Sequence, residues 1–174
     1  MALKINIDAG HGSNTAGKRT PPFPQDVKVN DKIIVKKGEQ FREHIANVGV
    51  AFLLEQELKR CGFNTMRTGW NDTNAFDDPD TPLSDRQRAI AKADCDYSIS
   101  IHFNAFGDGK TFNSANGVGI YIHDKYQGQS KKLAQTVLKH LSGGTKQKNR
   151  GVNPKNLAMC NCNNLDVKAA ILVE

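Results

Sequence analysis

The stretch KINIDAGHGS, Lys4 to Ser13, sets the pattern for the whole chain. A short apolar run stops at an acid, and two glycines then bracket a histidine. Residues 3–8 read as a buried strand, so His11 falls just past a strand end. Beyond a long polar insertion (18–40), the periodicity predicts a helix from about Gln40 to Arg60, stopped by Gly62. Within that helix Val48–Leu54 is apolar almost all round, which implies cover on more than one side. A strand at 63–68, a loop at 69–82 and a short helix at 83–93 follow, with Ser84 or Asp85 placed to help start the helix. Then come a strand at 96–105, a strand at 117–124, and an amphipathic helix at 127–142 with Leu133, Val137, Leu138 and Leu141 on one side. A short strand at 156–160 and a buried strand at 169–174 close the chain. This alternation predicts a single α/β domain with a mixed, mostly parallel twisted sheet and helices on both faces. Inside the insertion, VKV-ND-KIIV has the form of a β-hairpin around an Asn-Asp turn.

The 174 residues suffice for one domain with its own core. No run approaches the ~20 apolar residues of a membrane span. The first ten residues lack the basic start and apolar run of a secretory signal, so synthesis in the cytosol is expected. The 24 Lys and Arg against 18 Asp and Glu give a net charge of +6, which favours anionic partners. Nothing resembles a nucleic-acid-binding motif. Cys61, Cys95, Cys160 and Cys162 lack metal-ligand spacing and read as reduced thiols.

In sheets of this class, sites collect at the carboxyl ends of strands. His11 follows the first strand, His102 ends SISIH, Glu174 ends AAILVE, and Glu43 lies at the start of the long helix. Two imidazoles and a carboxylate with an open fourth position are a common catalytic zinc set. A separate carboxylate can then move the proton of an attacking water. Together these residues suit metal-assisted amide hydrolysis. Asp8 has two readings, as a hydrogen-bond partner of a ligand imidazole or as a cap of the turn. His44, His123 and His140 lack matching partners and read as surface or satisfied polar groups.

IDAGHG, SISIHFNA, NRGV and AAILVE, in that order, resemble the zinc-dependent N-acetylmuramoyl-L-alanine amidases, peptidoglycan hydrolases of the autolysin and endolysin type. The resemblance spans residues 3 to 174. Glu43, Asn47 and Gly62 match the helix after the first motif, and LSDRQRAIAKADCDYSISIH matches the lead-in to the second histidine. The resemblance implies Zn²⁺ on His11, Glu43 and His102, with Glu174 as the catalytic glutamate. Glu39 is the rival for the ligand carboxylate. Asn104 and Asn47 are candidate partners that orient ligands. Arg150 either contacts an acidic part of the stem peptide or braces the site. The substrate would be peptidoglycan, with anionic wall polymers as further candidate partners, and a monomer is expected. Other zinc peptidases or deacylases on the same fold, or a non-catalytic basic wall-binding domain, are the alternatives.

Relative to that family, the stretch between His11 and Glu43 is long, and its hairpin at 27–35 is expected to form one wall of the substrate groove. The chain also ends at Glu174, where the family continues through a loop and usually a last helix, so either a truncated domain or an incomplete sequence is expected. The absence of a leader would suit a phage endolysin, a sporulation lysin or a catalytic domain cut from an exported protein.

Overall fold

The computed structural model describes residues 2–104 and 109–174. In chain order its elements are β1 (Lys4–Ala9), β2 (Val27–Val29), β3 (Lys32–Val35), α1 (Glu43–Arg60), β4 (Asn64–Thr68), α2 (Leu83–Lys92) and β5 (Tyr97–Ile101). They continue with β6 (Val118–Ile122), α3 (Gly128–Gly143), β7 (Asn149–Pro154), a 3-10 turn (Ala158–Cys160), α4 (Cys162–Leu165) and β8 (Ala169–Val173). One six-stranded sheet has the order β4-β1-β5-β8-β6-β7. Strands β4, β1, β5 and β8 are parallel; β6 turns antiparallel to β8, and β7 runs parallel to β6. The mixed, mostly parallel α/β architecture agrees with the alternation of the sequence.

Strand alternation decides what each face buries. Ile5, Ile7, Ile99, Ile101, Ile171 and Ile120 meet Val48 and Ala51 of α1 and Ala134 and Leu138 of α3. Ile7, Ile120 and Ile171 are fully buried, each worth about 1.5–3 kcal/mol of transfer free energy. The opposite face is covered by α2, α4 and the 3-10 turn, through Ile90, Leu165 and Met159. The strands present Asn6, Asp8, Ser98 and Ser100 to that covered side, all buried. Burial of such groups requires partners. Asn6 Nδ2 donates to Ser98 Oγ (3.0 Å), and Ser100 Oγ donates to Asp8 Oδ2 (2.6 Å).

Several local expectations change. α1 begins at Glu43 rather than near Gln40, because residues 39–42 are held extended as one side of the insertion's stem. Phe23 N donates to Glu39 O (2.9 Å), Thr20 N to Phe41 O (2.9 Å) and Glu43 N to Lys18 O (3.0 Å). Val50 and Leu53 are 42% and 62% exposed, so α1 is covered on one side only among the described residues. Leu141 of α3 is likewise exposed. α2 starts directly after Pro82 with no side-chain cap. The segment 156–160 is not a strand but ends in the 3-10 turn. The position beside β6 is filled by β7, which the sequence reading missed. β7 reads NRGVNP because it is an edge strand, where Gly and Pro are tolerated and no apolar face is demanded. The expected strand at 96–105 ends at Ile101, and its residue 105 lies outside the described residues.

β2 and β3 form a hairpin apart from the main sheet. Its two turn residues, Asn30 and Asp31, have φ of 48° and 60°, the left-handed pair that a type I′ turn needs. Among the described residues, no helix is long and apolar enough to cross a membrane.

Candidate metal centre

Because β1, β5 and β8 are parallel neighbours, His11, His102 and Glu174 all emerge at one edge of the sheet. The start of α1 brings Glu43 to the same edge. His11 Nε2 lies 3.3 Å from Glu43 Oε1, and His102 Nδ1 lies 3.1 Å from the same oxygen. The two imidazoles stand edge to face, with centroids 4.8 Å apart and planes at 88°. One ligand atom from each of the three residues lies within 4.8 Å of the others. Two nitrogen donors and one carboxylate at this spacing match the donor set of a catalytic zinc. Burial pushes the Glu43 carboxyl up, but hydrogen bonds from His102 and His11 outweigh it and hold the group well below the usual carboxylate range. Phe103 N also donates to Glu43 Oε1 (3.1 Å). The side chain is therefore an anion, as a ligand carboxylate must be.

Glu174 is half-buried at the end of β8. Burial pushes its carboxyl above the ordinary value. The charge of His102 opposes that push, the Glu43 carboxylate adds to it, and Lys155 and Lys18 pull it down. Such a carboxyl is a stronger base than a free one and can hold a proton through a reaction step.

The glycines around His11 act through space rather than through their own dihedral angles. The left-handed residue is His11 itself, with φ of 63°. A Cβ on Gly10 would lie 2.2 Å from His102 Cε1, and one on Gly12 would lie 2.2 Å from the backbone nitrogen of Asp80. Gly10 thus lets the second imidazole lie directly on the backbone that carries the first. The carbonyl of Gly10 accepts from His44 Nδ1 (2.9 Å) and from Asn47 Nδ2 (2.9 Å). Asn47 therefore fixes the backbone next to His11 and does not touch the cluster directly. His44 is fully buried rather than exposed, with Nε2 3.6 Å from Asp78 Oδ2.

Arg86 of α2 is the principal residue that the sequence reading did not single out. It is 2% exposed. Its Nη1 donates to Asp8 Oδ1 (2.9 Å) and Ala9 O (2.7 Å), and its Nη2 to His11 O (2.6 Å) and Asp80 Oδ1 (3.0 Å). Asp8 also accepts from Thr68 and Ser100, so it neither partners an imidazole nor caps the turn; it is the buried counter-ion of Arg86. The available signal is an arginine four residues before Ile90, on the stripe of α2 that faces the sheet.

The other candidates lie apart from the cluster. Glu39 is exposed and accepts from Lys36 N (3.0 Å), which removes it as a rival to Glu43. Asn104 is exposed, two residues beyond His102. Arg150 lies on β7 and donates twice to Asn116 O (3.0 and 2.8 Å). His123 is buried and accepts from Lys125 N (3.1 Å), and His140 is exposed. Phe23 of the insertion meets Phe112 of the loop after β5, with ring centroids 5.0 Å apart. The insertion thereby touches the loop that leaves His102. All four cysteines are free, and burial holds the Cys160 thiol up at about 12.

The N-acetylmuramoyl-L-alanine amidase family profile matches residues 5–174. The structure is similar to an N-acetylmuramoyl-L-alanine amidase from Clostridium difficile 630 (TM-score 0.71, 26% identity), covering 99% of this chain and 78% of that one. It shares its fold with the catalytic domain of CwlV, an N-acetylmuramoyl-L-alanine amidase from Bacillus (Paenibacillus) polymyxa var. colistinus (TM-score 0.68, 22% identity), covering 100% and 79%. The catalytic domain of the CD27L endolysin, which targets Clostridia difficile, is a further structural relative (TM-score 0.66, 19% identity), covering 99% and 80%. No curated protein matches at the sequence level.

Proposed function

Because the chain belongs to the N-acetylmuramoyl-L-alanine amidase family, we propose that its amide hydrolysis depends on zinc held by His11, Glu43 and His102, with Glu174 as the proton carrier. The bond cut is the amide between N-acetylmuramic acid and L-alanine in bacterial peptidoglycan. The observation that carries this reading is the convergence of two imidazole nitrogens on one Glu43 oxygen (3.3 and 3.1 Å) beside the half-buried Glu174. Zinc bound there would supply Lewis acidity, polarising the scissile carbonyl and lowering the pKa of water toward about 7.

The chain's own residues do the rest. His11 and His102 offer imidazole nitrogens, and Glu43 offers a charge that offsets a cation. Arg86, His44 and Asn47 fix the backbone on which His11 is carried. Glu174 takes a proton from the attacking water and gives it to the departing amine nitrogen of L-alanine. Its raised affinity for protons suits both halves of that transfer. The net charge of +6 supports attraction to anionic wall polymers, with screening by salt.

The test combines metal analysis with wall digestion. One zinc per chain, loss of lysis on chelation, recovery on zinc addition and new amino groups on L-alanine are expected. Glu174→Gln keeps its zinc and loses roughly 10²- to 10⁴-fold in rate. Lysis by that variant at the parental rate would remove Glu174 from its role, and chelator-resistant lysis would remove the metal.

A further inference from the structure

The reversal of strand direction at β6 brings a second set of residues to the same edge. β6 and β7 run opposite to β8, so their amino ends stand beside the carboxyl end of β8. Gly119 and Glu174 exchange both backbone hydrogen bonds, at 2.7 and 2.9 Å. Residues so paired point to the same face, so a side chain at 119 would stand next to that of Glu174. Glycine leaves that place open, and Arg150 of β7 stands on the side of it away from β8. A Cβ on Gly119 would lie 3.3 Å from Arg150 Cβ, and a Cβ on Gly117 would lie 2.4 Å from Arg150 Nε.

A bulge aims this arginine. Val118 pairs with Asn149 and Ile120 with Val152, so β7 carries one extra residue, at Arg150–Gly151. Gly151 has φ of 80°. Bulges of this kind redirect a side chain, often beside active sites. The guanidinium is then pinned: Nε and Nη2 both donate to Asn116 O (3.0 and 2.8 Å). Among the described residues, Nη1 has no hydrogen-bond partner, and no carboxylate pairs with Arg150. A cation that is immobilised, exposed and unneutralised is prepared for a bound anion, because its ordering cost is already met on folding. Arginine, unlike lysine, presents a planar fork matched to carboxylate.

We propose that Arg150 binds a free carboxylate of the stem peptide, on the residue that follows the scissile L-alanine, and that the enzyme thereby distinguishes carboxylate from carboxamide stems. This rests on the reading of Glu174 and the His11–Glu43–His102 cluster as the catalytic centre. The geometry fits the span. Neighbouring strands lie about 4.8 Å apart and β6 separates β7 from β8, so the backbone at Arg150 stands two strand spacings from that at Glu174, the reach of about three extended residues.

The experiment uses two synthetic muramoyl-peptides that differ only in a carboxylate or a carboxamide on the residue after L-alanine. The parental enzyme is expected to favour the carboxylate by about 10- to 100-fold in kcat/KM. In R150Q that ratio falls toward one, chiefly through KM; R150K keeps part of it. Melting temperature and zinc content check that R150Q is folded. Gly119→Ala retains the guanidinium but displaces it, and so also lowers the ratio. Equal cleavage of both substrates by the parental enzyme would overturn the proposal, as would R150Q slowing both by the same factor. Cleavage of neither substrate would overturn the amidase reading and this proposal with it.

Discussion

Replacing Arg86 by methionine tests how the fold holds its centre. Methionine resembles the arginine stem in its apolar reach but offers no donor. The change removes five hydrogen bonds: to Thr81 O (2.9 Å), Asp8 Oδ1 (2.9 Å), Ala9 O (2.7 Å), His11 O (2.6 Å) and Asp80 Oδ1 (3.0 Å). Asp8 is 1% exposed and is left with the Thr68 and Ser100 hydroxyls alone. Breaking a buried pair by removing one partner costs about 3–5 kcal/mol. At this chain length each kcal/mol moves Tm by roughly 2–4 °C, so a fall on the order of 10 °C is expected. The second consequence concerns the metal. His11 is held at φ 63°, a conformation costing about 1–2 kcal/mol for a residue with a Cβ. Once its carbonyl is released, the residue relaxes and its imidazole swings away. Zinc affinity, read by competition with a chromophoric chelator, should fall about 10- to 100-fold. Arg86→Lys keeps the charge but cannot reach all five acceptors, and should fall between. Adding Asp8→Asn to Arg86→Met removes the stranded carboxylate, so the double variant should lose less stability than the sum of the singles. Unchanged zinc affinity in Arg86→Met would refute the positioning argument, and strict additivity would refute the buried ion pair.

Two further outcomes follow from the same structure. Gly10→Ala places a methyl 2.2 Å from the His102 ring; zinc content of the purified variant should drop sharply while far-UV dichroism is preserved, and a fully loaded variant would contradict the close approach. At Glu55, the hydrogen bond from Arg67 lowers the carboxyl to about 2, from a model-peptide value of 4.5. A depressed folded value stabilises above the unfolded one and is lost as pH falls, so the contribution, on the order of 1–3 kcal/mol, disappears between about pH 4.5 and 2. Glu55→Gln should therefore be less stable at pH 7 and show a flatter acid-unfolding curve across that window; a parallel curve would count against the assignment.

Much of this centre is legible in the sequence because its residues terminate strands. His11, His102 and Glu174 each follow a β-branched run, and parallel pairing of β1, β5 and β8 brings those ends together. What sequence patterning does not reveal is which faces are covered. KINID and YSISI alternate, which says that the two faces differ but not that both are buried. Asn6, Asp8, Ser98 and Ser100 are interior because α2, α4 and the 3-10 turn lie over them. Arg86 is the counterpart of that polar face, and its role is visible only once α2 is laid against the sheet. β7 was illegible for the opposite reason. An edge strand with one pairing partner can be written in Asn, Arg, Gly and Pro, and those residues read as a loop.

The positions of the glycines carry the same lesson into the chemistry. Gly10 stands where the His102 ring lies on the backbone, and Gly119 stands against the Cβ of Arg150. The unusual dihedral angle belongs to His11, which has a Cβ and is held left-handed by the bonds around it. The strain is therefore placed on the residue whose direction matters, and the glycines supply room instead. Room of this kind has a steep response to substitution, because a single methyl at 2.2 Å cannot be accommodated by small shifts when the opposing group is a ring packed on backbone. At Gly119 the opposing atom, Arg150 Cβ, is 3.3 Å away, so a methyl there asks for a shift of only a few tenths of an ångström. Alanine at position 10 should thus abolish the centre, whereas alanine at 119 should only shift preference between substrates. That contrast in severity would separate the residues that assemble the proposed metal site from those proposed to select what reaches it.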